Sequence, residues 1–197
     1  MFYLRGAKFL RRIVVGITGA SGIPYAVKVL DFLRDHDDYE THLVVSKAAK
    51  RVIAEESNMS LDVIRKLADV NHPTDDVGAS IASGSFRTDG MIIVPCTMKT
   101  LAEIAYSTTT NLITRAADVT LKEGRKLVVV PRETPLRESH LEAMIRIRRE
   151  GGVILPPTPA FYMQPQSLDE IIEHTAGRIL DHFDIATDIA RWGEERS

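Results

Sequence analysis

An α/β fold, with helices on both faces of a parallel sheet, is what this chain predicts, and three observations predict it. Short runs such as Met91-Ile92-Ile93-Val94 and Leu127-Val128-Val129-Val130 are apolar throughout, as strands covered on both faces are. These runs alternate with amphipathic stretches of helical period. No internal repeat, low-complexity tract or linker interrupts the alternation.

Taken in order, residues 12–17 form the first buried strand, and a tight glycine turn at 19–22 leads into an amphipathic helix over 23–34. Residues 41–46, rich in β-branched side chains, read as the second strand. A helix follows over 47–57, and Ser60 can cap a short one over 61–68. Residues 71–87 are polar and rich in Gly and Ser, which predicts a loop excursion with a short strand at 80–82. A buried strand at 91–95 precedes a helix over 100–106 and another over 111–122 that Gly124 ends. Strands at 127–130 and 153–155 and helices over 140–150 and 168–189 complete the pattern. Residues 1–11, basic and partly apolar, are expected to be an N-terminal extension before one domain spanning 12–197.

Composition excludes several classes. The chain of 197 residues carries 25 basic and 27 acidic side chains, so no global field favours nucleic acid. One cysteine, Cys96, leaves no internal disulfide and fits a reducing compartment, so a cytoplasmic location is expected. No apolar run is long enough to span a membrane as a helix. The N-terminus lacks the long apolar core and small-residue cleavage site of a secretory signal. The six histidines show neither HxxxH nor HExxH spacing, and no DDxxD pair exists, so no metal is expected.

The strand ends carry the chemistry. The first runs into Gly16-Ile17-Thr18-Gly19-Ala20-Ser21-Gly22-Ile23. Small residues there let a ligand approach the backbone, and the following helix N-terminus favours an anion. Close packing of a strand–helix turn would use the same residues. The segment is not GxGxxG, and the second strand ends in Ser46-Lys47 rather than an acid, which suits phosphate better than a ribose diol. Pro95-Cys96-Thr97-Met98-Lys99-Thr100 offers two hydroxyls, backbone N–H groups and a lysine at a helix start. Thr97 or Thr100 could equally serve as an ordinary cap. Cys96 reads as a small buried apolar residue.

The strand over 127–130 ends in Pro131-Arg132-Glu133, where a parallel sheet delivers its binding loops. Arg115 and Lys122 lie seven residues apart, on one face of a predicted helix. Cations aimed at one pocket with one carboxylate predict a site that binds an anion and moves a proton; a surface salt-bridge network is the plainer alternative. The proline-rich loop over 156–165 is stiff enough to hold Tyr162 as a ring face and hydroxyl donor, although Phe161 and Tyr162 could instead plug the core. Arg178 sits farther on, in the last helix. His174 and His182, eight apart, read as facing solvent or a neighbouring subunit.

Seven stretches match one family in order and at its spacing: GITGASGIPYA, VVSKAA, SGSF, PCTMKTLAEIA, NLITRAADVTLKEGRKLVVVPRETPLRESHLEAM, GGVILPPTPAFYMQPQS and a final ARWGE. Over residues 12–194 the chain resembles the UbiX-type flavin prenyltransferases, formerly labelled aromatic-acid decarboxylases. The resemblance implies a three-layer α/β/α sandwich of Rossmann or flavodoxin type. It implies transfer of a dimethylallyl group from dimethylallyl monophosphate to N5 and C6 of reduced FMN, without metal. The product, prenylated FMN, would serve a UbiD-type decarboxylase, and the protein would be a homo-oligomer, a dodecamer with sites between subunits.

Residue by residue, Gly19, Ala20 and Ser21 match the flavin-contacting turn, Ser46 a second contact, and Thr97, Met98, Lys99 and Thr100 the segment that holds FMN. Arg132 matches an arginine contacting both ligands, and Arg115 a further polar residue of the site. Lys122, Tyr162 and Arg178 match the groups around the prenyl phosphate. Glu133 matches the catalytic glutamate, and Lys122, Ser21 and Glu56 are grouped with it. Two other readings share the fold. A flavin-dependent cysteine decarboxylase would carry an Asn-containing PASANT-like segment where this chain has PCTMKT. A flavin carrier would not need Lys122, Arg132 and Glu133 together.

Overall fold

The structure is a computed structural model and describes residues 10–193. Six strands form one sheet: β1 (Arg11–Ile17), β2 (Tyr39–Val45), β3 (Val70–His72), β4 (Gly90–Cys96), β5 (Lys126–Pro131) and β6 (Val153–Ile154). Every pair is parallel, in the order β3-β2-β1-β4-β5-β6. Seven helices connect or flank them: α1 (Ile23–Arg34), α2 (Lys47–Glu56), α3 (Leu61–Arg65), α4 (Met98–Ala105), α5 (Leu112–Lys122), α6 (Glu138–Arg149) and α7 (Leu168–Asp181).

The apolar runs are continuous because the sheet has a core on each face. Ile13, Val15, Ile17, Ile92, Val94, Val128 and Val130 point to the side covered by α1 and α7. Val14, Met91, Ile93, Leu127 and Val129 point to the side covered by α4, α5 and α6. β1 has β2 on one side and β4 on the other, so the chain's winding reverses there. At such a switch point the loops beyond the carboxyl ends part and leave a crevice.

Three expectations are corrected. Residues 80–82 form a 3-10 turn, not a strand: Ala82 N–H donates to Ala79 O at 2.9 Å, and Ile81 is buried against the α5 side without pairing to the sheet. The edge strand is β3 instead, pairing Val70–His72 with His42–Val44. Its Val-Asn-His sequence lacks strand character because only three residues pair before Pro73. The last helix stops at Asp181, not at 189. The backbone reverses at Asp184, with φ 56°, and returns Ile189 onto Gly177, where a Cβ would lie 2.6 Å from Ile189 Cγ2. Ile185 and Ile189 are spaced like helix positions but are buried by this return. Residues 1–9 of the expected extension lie outside the described residues, and Arg11 already belongs to β1, donating to Asp89 at 2.9 Å.

Gly90 sets the register of the central strands, opposite Ile13 on β1 and Lys126 on β5. It has φ +154°, and a Cβ there would meet Lys126 O at 2.2 Å and Phe183 Cε1 at 2.8 Å. Gly90→Ala is expected to lower stability by about 2–3 kcal/mol, read as a lower urea midpoint at unchanged m value.

Candidate active site

The carboxyl edge of the sheet gathers most of the residues singled out from sequence. The turn after β1 is pinned from two sides. Thr18 is buried; its hydroxyl donates to Pro95 O at 2.8 Å and accepts from Thr97 N–H at 2.8 Å, joining the ends of β1 and β4. Ser46 N–H donates to Ile17 O at 2.9 Å, joining the start of α2. Gly19 packs against that start so closely that a Cβ would lie 2.5 Å from Ala48 Cβ. Gly22 follows at φ +119°, as α1 begins.

The helix starts here are chemically alike. Ser46 caps α2 by accepting from Ala49 N–H at 3.1 Å, and Thr97 caps α4 by accepting from Thr100 N–H at 3.2 Å. The alternative capping role is therefore realised, and it leaves the other N–H groups of both first turns without an intrahelical acceptor. Neither first turn holds an acid, whereas α6 and α7 begin with Glu138 and with Asp169 and Glu170. Lys47 and Lys99 lie in those acid-free turns. Such termini favour an anion supplied from outside.

The α1 terminus is answered from within. Glu56, at the end of α2, accepts from Gly22 N–H at 2.9 Å and Ile23 N–H at 3.4 Å. Partial burial pushes its carboxyl up, but Ser21, these two N–H groups and the charge of Arg132 outweigh it and hold it below the usual carboxylate range. Arg132 also bears on Tyr25, whose hydroxyl burial pushes up against that pull. Arg132 and Glu133 follow β5 and are exposed; Arg132 N–H donates to Cys96 O at 3.2 Å, and Glu133 accepts locally from Thr134 N–H at 3.0 Å. Cys96 is fully buried, and burial raises its thiol far above the ordinary range, so it is a packing residue.

Lys122 and Arg178 do not meet Arg132 within one chain. Lys122 precedes β5 and Arg132 follows it, so a six-residue strand, about 20 Å long, separates their backbones. Lys122 instead pairs with Glu123 at 2.7 Å, and Arg115 with Asp118 at 3.0 Å and Ala82 O at 3.3 Å. Arg178 lies in the last turn of α7, on the opposite face of the sheet, paired with Asp181 at 2.9 Å. Tyr162 is half exposed rather than a core plug, edge-on to His174 at 6.3 Å and Trp192 at 5.2 Å, beside an open cleft of about 300 Å³. His174 is half-buried by this contact.

Two residues escaped the sequence reading. Thr18 is visible only as one member of a small-residue turn, although a hydroxyl directly after a buried strand is the available signal. Tyr25 sits one turn into α1, against Gly22, and nothing in its spacing marks it.

A family profile described as Flavoprotein matches residues 5–192. A probable UbiX-like flavin prenyltransferase from Streptomyces sp. (strain D7) is 52% identical over 187 residues, covering 94% of this chain and 94% of its own. This chain belongs to the UbiX-type flavin prenyltransferases. Among solved structures, AnUbiX in complex with FMN and dimethylallyl pyrophosphate superposes with a TM-score of 0.91 at 50% identity, covering 94% of this chain and 98% of that one. A dodecameric FMN-dependent UbiX-like decarboxylase from Escherichia coli O157:H7 also gives a TM-score of 0.91, at 49% identity, covering 93% of this chain and all of that one. The flavodoxin-like α/β fold is that of this family.

Because the folded Glu56 carboxyl lies below its ordinary value, its hold on the glycine turn is complete above about pH 4.3 and is lost as pH falls through the folded value. Amide protection factors at Gly22 and Ile23 are expected to be flat through neutral pH and to collapse in acid. In Glu56→Gln, which carries no charge to titrate, that acid limb is expected to vanish.

Proposed function

We propose that this chain is a flavin prenyltransferase: it joins the dimethylallyl group of dimethylallyl monophosphate to N5 and C6 of reduced FMN and releases phosphate and prenylated FMN. The observation that carries the reading is the placement of the acid-free starts of α2 and α4 beside Arg132 and Glu133, at one edge of the sheet, in a chain of this family. The residues fit FMN. The close approach at Gly19 keeps backbone rather than side chain at the crevice, and the hydroxyls and N–H groups of residues 46–49 and 97–100 suit a phosphate monoester. Gly19, Ala20, Ser21, Ser46, Thr97, Met98, Lys99 and Thr100 would hold it. Reduced FMN supplies the nucleophilic nitrogen and carbon.

The chain's own contribution is grip, orientation and proton handling. Arg132 would contact both ligands with a fixed positive charge and stabilise the leaving group as its C–O bond breaks. Glu133, adjacent and exposed, protonates the departing phosphate, takes the proton lost from N5, delivers it to the allyl double bond so that the other alkene carbon can bond to C6, and takes the proton then lost from C6. Holding both reactants in one crevice supplies the entropic part of the acceleration. A monophosphate is a poor leaving group, so more positive charge is needed than Arg132 alone provides.

Lys122 and Arg178 supply it from other copies of the chain, and Tyr162 adds a hydroxyl donor. Their separation from Arg132 in one chain, together with the dodecamer of the Escherichia coli relative, supports a homo-oligomer, a dodecamer, with sites between subunits. The exposed faces of Tyr162 and Trp192 are then subunit contacts. The location is cytoplasmic and the consumer of the product is a UbiD-type decarboxylase. The cysteine-decarboxylase and carrier readings are not favoured, since the chain's near relatives are flavin prenyltransferases.

Anaerobic incubation with reduced FMN and dimethylallyl monophosphate, followed by mass spectrometry of the flavin, is expected to show the gain of one C5 unit; bound but unmodified FMN would overturn the reading. Glu133→Gln is expected to bind both reactants and turn over at least about a hundredfold more slowly. Lys122→Ala and Arg132→Ala should each be inactive alone. Assemblies refolded from a mixture of the two should recover prenyl transfer, because some sites then draw intact Lys122 and intact Arg132 from different chains. Failure of the mixture, with mixed oligomers demonstrated, would confine the site to one chain.

A further inference from the structure

The segment between β3 and β4 is fastened to α5. Leu112 N–H donates to Thr74 O at 2.8 Å, and Arg115 Nε to Ala82 O at 3.3 Å. Arg125, just beyond α5, donates to Phe86 O at 2.9 Å. At its closest approach the segment presents Gly84, where a Cβ would lie 2.1 Å from Glu123 Oε1 and 3.0 Å from Lys122 Nζ. The segment thus forms the wall against which Arg115 and Lys122 are held.

Both ends of this wall meet one side chain. His42, on β2, is 3% exposed. Its Nδ1 lies 2.9 Å from Nε2 of His72, the last residue before the segment. Its ring meets the ring of Phe86, at the other end, edge-on at 5.3 Å. The imidazole centroids are 5.2 Å apart with 13° between their planes, the arrangement of two rings lying end to end rather than stacked face to face. His42 Nε2 lies 2.8 Å from Glu40 Oε1, which also accepts from Arg12 Nε at 2.7 Å. The Arg12 guanidinium in turn covers the Phe86 ring at 4.7 Å. Arg12, Glu40, His42 and Phe86 close a circuit, and His72 joins it at His42 Nδ1.

Proton counting shows what the circuit tolerates. The hydrogen bond from Arg12, then that from His42, holds the Glu40 carboxyl below its usual range despite burial, so Glu40 is a carboxylate and His42 Nε2 carries the proton toward it. One proton then lies between His42 Nδ1 and His72 Nε2, and either ring can own it. A second proton would set N–H against N–H and break the contact. The other charge facing His72 is Asp76, from the segment itself; burial and then His42 outweigh it and push the His72 imidazole below its ordinary value.

We propose that His42 is a positioning residue that clasps the 73–86 segment shut over Arg115 and Lys122, and that the clasp opens when a second proton enters the contact between the two rings. The consequence for activity rests on the assignment of Lys122 to the prenyl phosphate site. With His72 depressed in the folded chain, the closed state is fully supported above the ordinary imidazole value and weakens as pH falls below about 6.5.

His72 is the cleaner position to alter, because it is half exposed on an edge strand, whereas His42 is buried and also bonds Glu40. Hydrogen exchange of peptides from residues 73–86, corrected for intrinsic rate, is expected to be slow at pH 7.5 and to speed up toward pH 5.5, about one unit either side of the imidazole range. In His72→Ala it should be fast throughout. In His72→Gln, whose amide N–H can face His42 Nδ1 and does not titrate, it should be slow throughout. In parallel, His72→Ala should raise KM for dimethylallyl monophosphate about fivefold, the worth of one neutral hydrogen bond, leave FMN affinity unchanged, and be restored by His72→Gln. Equal exchange in the parent and His72→Ala, or an acid response that persists in His72→Gln, would overturn the clasp. Exchange that behaves as expected with an unchanged KM would overturn the positioning role. Exchange that behaves as expected while no variant, the parent included, prenylates FMN would leave the clasp standing and refute the prenyltransferase assignment.

Discussion

One buried hydroxyl holds the crevice to its shape. Thr18 stands where β1 leaves the sheet, and it both gives and receives a hydrogen bond at the end of β4. Parallel strands share no direct turn, so nothing in the chain's connectivity keeps their outgoing loops aligned. The Thr18 bridge does so for the two strands at the switch point, and Ser46 and Arg132 repeat the device on either side through Ile17 O and Cys96 O. Four outgoing loops are thereby laced into one rim. The glycine turn, both capped helix starts and the Arg132-Glu133 pair hang from it, and the glycine turn is then trimmed by Glu56.

Much of this was legible in the sequence, and the reasons are local. Strands such as Met91-Ile92-Ile93-Val94 announce themselves because both faces are covered, so no polar residue interrupts them. The start of the short helix α3 was readable from Ser60 because capping is decided within four residues, whereas Thr97 caps a helix that the sequence started two residues later. What stayed hidden depended on distant partners. Val70–His72 becomes a strand only because β2 offers an edge, and 80–82 coils because α5 offers an apolar surface instead. The return of Ile189 onto Gly177 imitates a continuing helix, since four-residue spacing is the same whether the chain runs on or doubles back.

The site shows the same division. Residues at strand ends could be placed at once, because every strand of a parallel sheet delivers its following loop to the same edge. Lys122, Arg115 and Arg178 lie on helices, and a helix face does not say which end of the sheet, or which copy of the chain, it serves. Their charges looked like members of one pocket from composition alone. The fold separates them by the length of β5 and by the thickness of the sheet.

Lys122 has a further property that follows from its neighbour. Its ammonium is already matched by Glu123, whose carboxyl the pairing holds below the usual range. An anion that meets Lys122 therefore competes with a resident carboxylate rather than finding a bare charge. A singly charged newcomer gains little from such an exchange, since it replaces like with like. A phosphate monoester bearing two charges gains more. The pairing would therefore favour a dianion over a monoanion at Lys122.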